Sequence, residues 1–249
     1  MGALHEGHLE LARCARAECF SVAASVFVNP LQFAPGEDLA RYPRDFDGDC
    51  VKFTDVGVDV LFAPTAQALY PVDFSSAVDV GALALTYEGA ARPTHFRGVA
   101  TVVAKLLNIV QPDFLYLGQK DAQQIAVVRR MIRDLGFRAR VVIVPTVRDA
   151  DGLALSSRNQ YLTSAERAEA PSLHRMLVAM HDELANGATR AQAQERARVL
   201  LGRSAQYEYA DVVDADTFEP LEMLRAPAFI IGAARFGATR LLDNLWIEH

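Results

Sequence analysis

Residues 93–124, PTHFRGVATVVAKLLNIVQPDFLYLGQKDAQQ, pass from one helix through a strand into a second helix. Apolar residues of the first helix recur at helical spacing on one face, namely Val99, Val102, Val103, Leu106, Leu107 and Val110. The continuous apolar run FLYLG at 114–118 predicts a buried strand. Ile125, Val128, Ile132 and Leu135 predict the second helix. Such alternation of strands and helices is typical of a parallel sheet covered by helices.

Three further apolar runs have the length of buried strands: SVAASVFV at 21–28, VDVLFA at 58–63 and RVVIV at 140–144. Helical patterns separate these runs, including one at 9–19. We therefore predict an α/β fold whose first domain, residues 1–147, is a Rossmann-like parallel sheet with helices on both faces.

The pattern changes after Pro145, and residues 148–249 are predicted to form a smaller α+β domain. Thr163 and Glu166 have the spacing of a capping box, which predicts one helix that continues to Asn186-Gly187. A second helix is expected at about 189–201, followed by strands at 207–213, 229–233 and 240–247. Helices followed by strands favour a small antiparallel sheet.

The composition limits the possible functions. The 249 residues carry a net charge of −6 and are 51% hydrophobic, which is typical of globular proteins and argues against a nucleic-acid partner. No apolar run reaches the ~18 residues that would suggest a membrane span, and no signal-peptide pattern opens the chain. Three cysteines without metal-ligand spacing favour a reducing compartment, so we expect a cytoplasmic protein.

The opening residues MGALHEGH place His5 and His8 in one helical turn around Gly7. A helix start offers free N–H groups and a partial positive charge, which suits phosphate. The same field favours neutral imidazoles that act as hydrogen-bond donors. The alternative interpretation is a pair of surface histidines on an ordinary helix.

Polar residues also follow the first predicted strand, at the carboxyl edge where open α/β sheets bind ligands. Asn29 and Gln32 suit the hydroxyls or the carboxylate of a small acid. Asp45, Asp47 and Asp49 have oxygens that a hard divalent cation prefers, although a solvated helix start is the more ordinary explanation of this acidic cluster.

Two more segments have residues suited to anions. Lys120 follows the strand at 114–118, and its ammonium is suited to phosphate oxygens; Gln124 lies about one helical turn further on. A salt bridge from Lys120 to Asp121 or Asp113 is the alternative. In RDADGLALSSRNQYL at 148–162, two serines and Arg158 could close over a triphosphate, whereas a solvated linker would not need the apolar residues of this loop.

Taken together, MGALHEGH, FVNPLQF, YPRDFDGD, RPTHFRGVATVVAKLLNIVQPD, GQKDAQQ and PTVRDADGLALSSRNQYL closely resemble the pantoate–β-alanine ligase (pantothenate synthetase) family over nearly the whole chain. That family belongs to the nucleotidyltransferase superfamily, where H-x-G-H is related to the HIGH signature of class I aminoacyl-tRNA synthetases. The resemblance implies that ATP, pantoate and β-alanine give pantothenate, AMP and pyrophosphate through a pantoyl adenylate. It also implies a homodimer.

The resemblance implies roles for individual residues. Catalytic roles fall on His5, His8, Lys120, Ser156, Ser157 and Arg158. ATP binding falls on Met1, His8, Gly118, Lys120, Asp121, Val147, Leu155, Ser156, Ser157 and Arg158. Pantoate binding falls on Gln32, Gln124 and Asn29. Asp49 matches a position associated with Mg²⁺, an ion that ATP itself mostly holds.

Family members also have an additional strand before the position of Met1, and we therefore expect the natural chain to start upstream. Two other functions stay open at this stage. One is a different nucleotidyltransferase that transfers its group to a phosphorylated acceptor. Such an enzyme needs a basic site for the acceptor phosphate, and the neutral Gln32 and Gln124 fit that need poorly. The other is a truncated, inactive relative that binds nucleotide or a partner subunit. The intact His5, His8, Lys120 and Arg158 argue against this function, and the missing first strand argues for it.

Overall fold

A computed structural model describes residues 3–33, 39 and 42–248. Its contacts divide the chain into two compact units. The first unit comprises Met1–Gly118 and Gln123–Val144, and the second comprises Gln119–Ala122 and Pro145–His249. The second unit includes residues 119–122 as well as the chain from Pro145 onward, and the domain boundary after residue 147 stays a prediction.

The first half of unit 1 is a parallel pair of short strands with two helices. Its elements are α1 (Glu6–Glu18), β1 (Ala23–Ser25), α2 (Phe46–Asp55) and β2 (Val60–Phe62). β1 and β2 run parallel, with Ala23 opposite Val60. Leu4, Leu9, Ala12 and Phe53 form a buried apolar cluster. This cluster packs the start of α1 against α2.

The second half of unit 1 repeats the strand–helix–strand pattern. After the short helices α3 (Ala66–Leu69) and α4 (Glu88–Ala91) come α5 (His95–Val110), β3 (Phe114–Gly118), α6 (Ala122–Asp134) and β4 (Arg140–Val144). β3 and β4 are parallel and have the predicted bounds. Helix α5 ends at Val110 because Gln111 adopts a left-handed conformation (φ 51°) and Pro112 cannot continue a helix.

The single parallel sheet expected for this unit is not observed. β1 pairs with β2 and β3 pairs with β4, and no ladder joins the two pairs within residues 3–33, 39 and 42–248. Strands become one sheet only through backbone hydrogen bonds between neighbours. Helix α1 connects the two pairs instead, because it contacts both β3 and β4 and its Leu9 and Ala12 belong to a cluster with Ala24 of β1 and Leu61 of β2.

Unit 2 is a three-stranded antiparallel sheet packed against helices. Its elements are α7 (Ser164–Glu169), α8 (Ser172–Ala185), α9 (Arg190–Arg198), β5 (Ala205–Asp214), β6 (Ala228–Phe236) and β7 (Thr239–Ile247), with sheet order β5-β6-β7. Met176, Leu177 and Met180 of α8 pack in a buried core with Ile230 and Phe236 of β6.

The predicted capping box at Thr163 and Glu166 is confirmed, but the single helix expected after it is wrong. Two helices are formed because Pro171 lacks the N–H that would continue α7; it occupies the N-cap position of α8 instead. The α/β class itself, with a C-terminal α+β part, is confirmed. The longest of the described helices, α5, has 16 residues, and none of them is long and apolar enough to cross a membrane.

Candidate active site

His5 and His8 lie together at the start of α1. Their rings are stacked, with centroids 3.9 Å apart and an interplanar angle of 30°. His5 is the N-cap residue, and its backbone N–H donates to His8 Nδ1 at 3.3 Å. Because Nδ1 accepts this hydrogen bond, the proton of a neutral His8 is on Nε2, which makes Nε2 a donor at the helix start.

Helix α2 holds the two residues that precede His5. Asp49 is fully buried, and its carboxylate accepts hydrogen bonds from the backbone N–H groups of Ala3 (3.0 Å) and Leu4 (2.7 Å). Lys52 Nζ donates to the carbonyl of Leu4 at 2.9 Å. One turn of α2 therefore binds two N–H groups and one carbonyl of the backbone that leads into His5.

This arrangement does not fit Asp49 as a magnesium ligand, because each carboxylate oxygen already accepts a backbone N–H in a site closed to solvent. The solvated helix start accounts for its neighbours, since Asp45 is the N-cap of α2 and Asp47 is exposed in its first turn. Among the described residues, no group of three or more histidine, cysteine or acidic residues could hold a metal ion.

A 3₁₀ turn at Pro30–Gln32 presents Gln32, and Asn29 holds this turn in place. Asn29 is 2% exposed; its Nδ2 donates to Gly98 O (3.0 Å), and its Oδ1 accepts from Leu31 N and from the Tyr70 hydroxyl. Burial raises the pKa of Tyr70 to about 12, so its hydroxyl keeps the proton that it donates. The side chain of Asn29, predicted to bind pantoate, is thus occupied by protein groups.

Arg92 and His95 contact the same turn, which sequence reasoning missed. Arg92 Nη2 donates to the backbone carbonyl of Gln32 at 3.1 Å, and His95 Nδ1 lies 3.0 Å from the same oxygen. No local pattern connects these residues with Gln32, which is 60 or more positions away.

Gly118 and Gln124 are the remaining candidates of unit 1. Gly118 ends β3, and a Cβ atom added there would meet no described atom within 4 Å. The side chain of Gln124, in the first turn of α6, is half-buried and makes no hydrogen bond to another described residue. Within the described part of the chain, there is therefore open space beside Gly118, and the amide group of Gln124 can still donate and accept hydrogen bonds.

Lys120 belongs to unit 2. Its ammonium lies 3.6 Å from Asp121 Oδ1, and its side chain is 22% exposed, so the predicted alternative ion pair is present but long. The adjoining backbone is held by Asn244 of β7, which is 1% exposed. Asn244 Nδ2 donates to the carbonyls of Gln119 (2.9 Å) and Lys120 (2.8 Å).

Residues 147–155 form a small hairpin that leads into the Ser-Ser-Arg segment. Leu155 N donates to Val147 O at 2.9 Å, and Arg148 pairs with Ala154 in an antiparallel bridge. Ser156 then caps a 3₁₀ helix, Ser157–Tyr161, by accepting a hydrogen bond from Arg158 N. Val147, Leu155, Ser156, Ser157 and Arg158 are therefore brought together by local structure.

Asn159, also missed from the sequence, fastens the end of this segment. Its Nδ2 donates to Ala154 O at 3.0 Å. Its Oδ1 is buried and has no hydrogen-bond partner among the residues that the structure describes. An acceptor left in this state suits a donor group on a ligand.

A buried ion pair supports the hairpin from β7. Arg148 donates to both oxygens of Asp243, at 2.6 and 2.8 Å, and His174 Nδ1 of α8 lies 3.3 Å from Oδ2. Burial alone would raise the pKa of Asp243, but the nearby His174 ring and the hydrogen bonds from the Arg148 guanidinium outweigh it and hold this pKa below its usual range. Asp243 therefore stays ionised at neutral pH.

The candidates thus form one set in each unit. His5, His8, Asn29, Gln32, Asp49, Gly118 and Gln124 belong to unit 1, and Lys120, Asp121, Val147, Leu155, Ser156, Ser157 and Arg158 belong to unit 2. Met1, predicted to bind ATP, lies outside the described residues. Residue types suited to phosphate oxygens occur in both units: two histidines at a helix start in unit 1, and a lysine and a Ser-Ser-Arg turn in unit 2. Such residue types in an α/β fold are typical of enzymes that act on anionic nucleotides.

Comparison with known proteins identifies the family. Residues 1–246 match the family described as pantoate-beta-alanine ligase. The pantothenate synthetase of Moorella thermoacetica is 48% identical over 251 residues, which cover 100% of this chain and 89% of that protein. The chain belongs to the pantoate-beta-alanine ligase family.

Solved structures agree with this assignment. Pantothenate synthetase from Thermus thermophilus is 50% identical and superimposes with a TM-score of 0.95, covering 100% of this chain and 91% of that one. Pantoate-beta-alanine ligase from Francisella tularensis, complexed with beta-gamma ATP and beta-alanine, is 32% identical with a TM-score of 0.78, covering 99% and 87%.

Proposed function

We propose that this protein condenses pantoate with β-alanine at the expense of ATP and so forms pantothenate, AMP and pyrophosphate. The observation that carries this proposal is the match to the ligase family over residues 1–246. The stacked histidines at the start of α1 and the Ser-Ser-Arg turn support it, since both are retained in this chain.

The reaction has two steps. A carboxylate oxygen of pantoate attacks the α-phosphorus of ATP, the bond from that phosphorus to the bridging oxygen breaks, and pyrophosphate leaves. The amine of β-alanine then attacks the acyl carbon of the pantoyl adenylate. A C–N bond forms, the C–O bond to AMP breaks, and the amine loses a proton. Such phosphorus chemistry depends chiefly on positioning and on stabilising negative charge.

His5 and His8 would donate to phosphate oxygens during adenylation. In a neutral His8 whose Nδ1 accepts the His5 backbone N–H, the proton is on Nε2, the atom that would donate to phosphate. Asp49 and Lys52 would act on the reaction only through the backbone of Ala3 and Leu4.

Lys120 and the Ser-Ser-Arg turn would bind the same kind of oxygens. The Lys120 ammonium acts as a compact point charge, and the Arg158 guanidinium can donate two parallel hydrogen bonds to phosphate. Ser156 and Ser157 would add hydroxyl donors. Val147, Leu155, Gly118 and Asp121 would line the nucleotide.

Gln32 and Gln124 would bind the hydroxyls and the carboxylate of pantoate, because primary amides both donate and accept hydrogen bonds. We assign Asn29 an indirect role, since its buried amide holds the Pro30–Gln32 turn. Magnesium would arrive as the counter-ion of ATP and so as part of that substrate. A cytoplasmic location and a homodimer complete the proposal.

The test is pantoate-dependent exchange of labelled pyrophosphate into ATP, with Mg²⁺ present and β-alanine omitted. We expect exchange, because adenylation is reversible and precedes amine attack. Adding β-alanine should then release AMP and pantothenate in equal amounts. Exchange that ignores pantoate, or a nucleotidyl group that stays on the acceptor after amine is added, would contradict the proposal.

A further inference from the structure

Asn244 of β7 is buried, yet it uses every polar group of its side chain. Its two amide hydrogens go to two consecutive carbonyls, those of Gln119 (2.9 Å) and Lys120 (2.8 Å), and its Oδ1 accepts from Gln119 Nε2 (3.1 Å). A single side chain therefore fixes the backbone on both sides of the peptide bond that leads into Lys120.

The backbone of Asn244 is fixed in turn by its neighbours. Its N–H donates to Asp243 Oδ1 at 2.8 Å, and its carbonyl accepts from Arg148 Nη2 at 3.2 Å. In a strand, successive side chains point to opposite faces. Asp243 thus faces Arg148 and His174, while Asn244 on the other face reaches residues 119–120.

We propose that Asn244 is a positioning residue for Lys120: it holds the Gln119–Lys120 backbone, so that the side chain of Lys120 extends from a fixed backbone position. Asn244 and its neighbour Asp243 also anchor the hairpin that precedes Ser156, because both accept hydrogen bonds from Arg148. This inference rests on the proposed function, in which Lys120 binds phosphate. Small misplacements of such groups reduce rates strongly, by about 10²-fold for a shift of about 1 Å.

The first experiment compares Asn244→Ala with wild type in pantoate-dependent pyrophosphate exchange. We expect a rate at least about tenfold lower and a higher KM for ATP, with the KM for pantoate unchanged. The matched control is Leu241→Ala, which removes a buried side chain of the same strand without touching residues 119–120. That variant should melt at a lower temperature. At temperatures where it is still folded, its rate of pyrophosphate exchange should equal that of wild type.

A double-mutant cycle identifies the route. If Asn244 acts through Lys120, then Asn244→Ala should cost less than about twofold in a Lys120→Ala background, because residues that act as a unit are not additive. A full tenfold further loss in that background would overturn the proposal. A folded Asn244→Ala enzyme with exchange within twofold of wild type would overturn it as well.

Hydrogen–deuterium exchange tests the same contact without activity. The backbone amides at 119–123 should exchange faster in Asn244→Ala than in Leu241→Ala at equal distance from each melting temperature. Equal exchange there would refute the positioning role. If wild type lacks pyrophosphate exchange altogether, the proposed function fails, and faster amide exchange confined to Asn244→Ala still supports the contact.

Discussion

Lys120 is one of only three lysines, and the three have different surroundings. Lys52 donates to a backbone carbonyl, and Lys105 lies over the rings of Tyr70 and Phe74. Within the described part of the chain, the Lys120 ammonium has only a long ion pair with Asp121. The Lys120 ammonium is therefore the one best suited to bind an anion.

Lys120→Ala should lower the rate of adenylation by about 10²–10³-fold, as for the loss of one group that stabilises a developing oxyanion. Pyrophosphate exchange measures this rate, and circular dichroism checks the fold. Lys105→Met is the control and should retain exchange. Near-normal turnover of a folded Lys120→Ala enzyme would refute the assigned role.

Gly118 allows a test in which folding and binding respond differently. A Cβ there meets no described atom within 4 Å, so Gly118→Ala should leave the unfolding midpoint unchanged or raise stability by ~0.4–1 kcal/mol. If ATP approaches this backbone, its Kd should rise about tenfold in calorimetric titration. In the control, Gly136→Ala, the native φ of +67° is strained for alanine, so stability should fall while ATP affinity stays. Unchanged ATP affinity in Gly118→Ala would exclude close approach.

At the scale of the element, α2 determines how α1 begins. Asp49→Asn keeps the side-chain shape but turns one acceptor into a donor that faces a backbone N–H. We expect a loss of about 1–3 kcal/mol in the free energy of unfolding, measured with urea, and a lower exchange rate. The dependence of exchange on Mg²⁺ concentration should stay as in wild type.

Asp47→Asn is the matched control, because Asp47 is exposed in the same turn of α2. It should leave both stability and exchange unchanged. A shift in the Mg²⁺ dependence of the Asp49→Asn enzyme would restore the metal-ligand interpretation.

Strand β7 makes a pH-dependent contribution through Asp243, whose pKa is lowered in the folded state. Such a carboxylate stabilises the fold above the unfolded-state pKa, near 3.8, and this contribution is lost as pH falls through the lower folded-state pKa. The unfolding free energy of wild type should exceed that of Asp243→Asn by about 3 kcal/mol at pH 7. The difference should shrink below about pH 4 in urea titrations at stepped pH.

A difference between the two proteins that stays constant from pH 7 to the acid limit would contradict this account. Asp134→Asn serves as the control, since Asp134 is exposed at the end of α6. It should show no such pH-dependent difference from wild type.

At the scale of the whole molecule, the chain carries a net charge of −6. ATP and pantoate, the proposed substrates of the adenylation step, are also anions. Their attraction therefore depends on local groups such as the start of α1, Lys120 and Arg158. Saturating MgATP, at about 100 times its Kd, should stabilise the folded protein by ~2.7 kcal/mol.

The expected increase in the melting temperature is roughly 5–10 °C for a chain of this size, measured by calorimetry. Lys120→Ala should reduce the increase at the same MgATP concentration. An equal increase in wild type and variant would mean that Lys120 does not bind the nucleotide.

Local pattern was sufficient for much of the fold. The bounds of β3 and β4, the capping box of α7 and the antiparallel strands of unit 2 follow from hydrophobic periodicity and cap chemistry, both of which act between residues close in the chain. The break between α7 and α8 at Pro171 is also a local feature. The apolar face that follows Pro171 favoured one continuous helix in the sequence-based prediction.

The sequence by itself determined the α/β class, the second helical and antiparallel part, and the motifs that resemble the ligase family. Only the tertiary structure decided that Asp49 and Asn29 hold backbone, that Arg92 and His95 contact Gln32, and that Asn244 holds the Lys120 loop. These contacts join residues 45 to 125 positions apart. Periodicity reports which face of an element is buried, but the partner of a buried polar group is set by packing between distant elements.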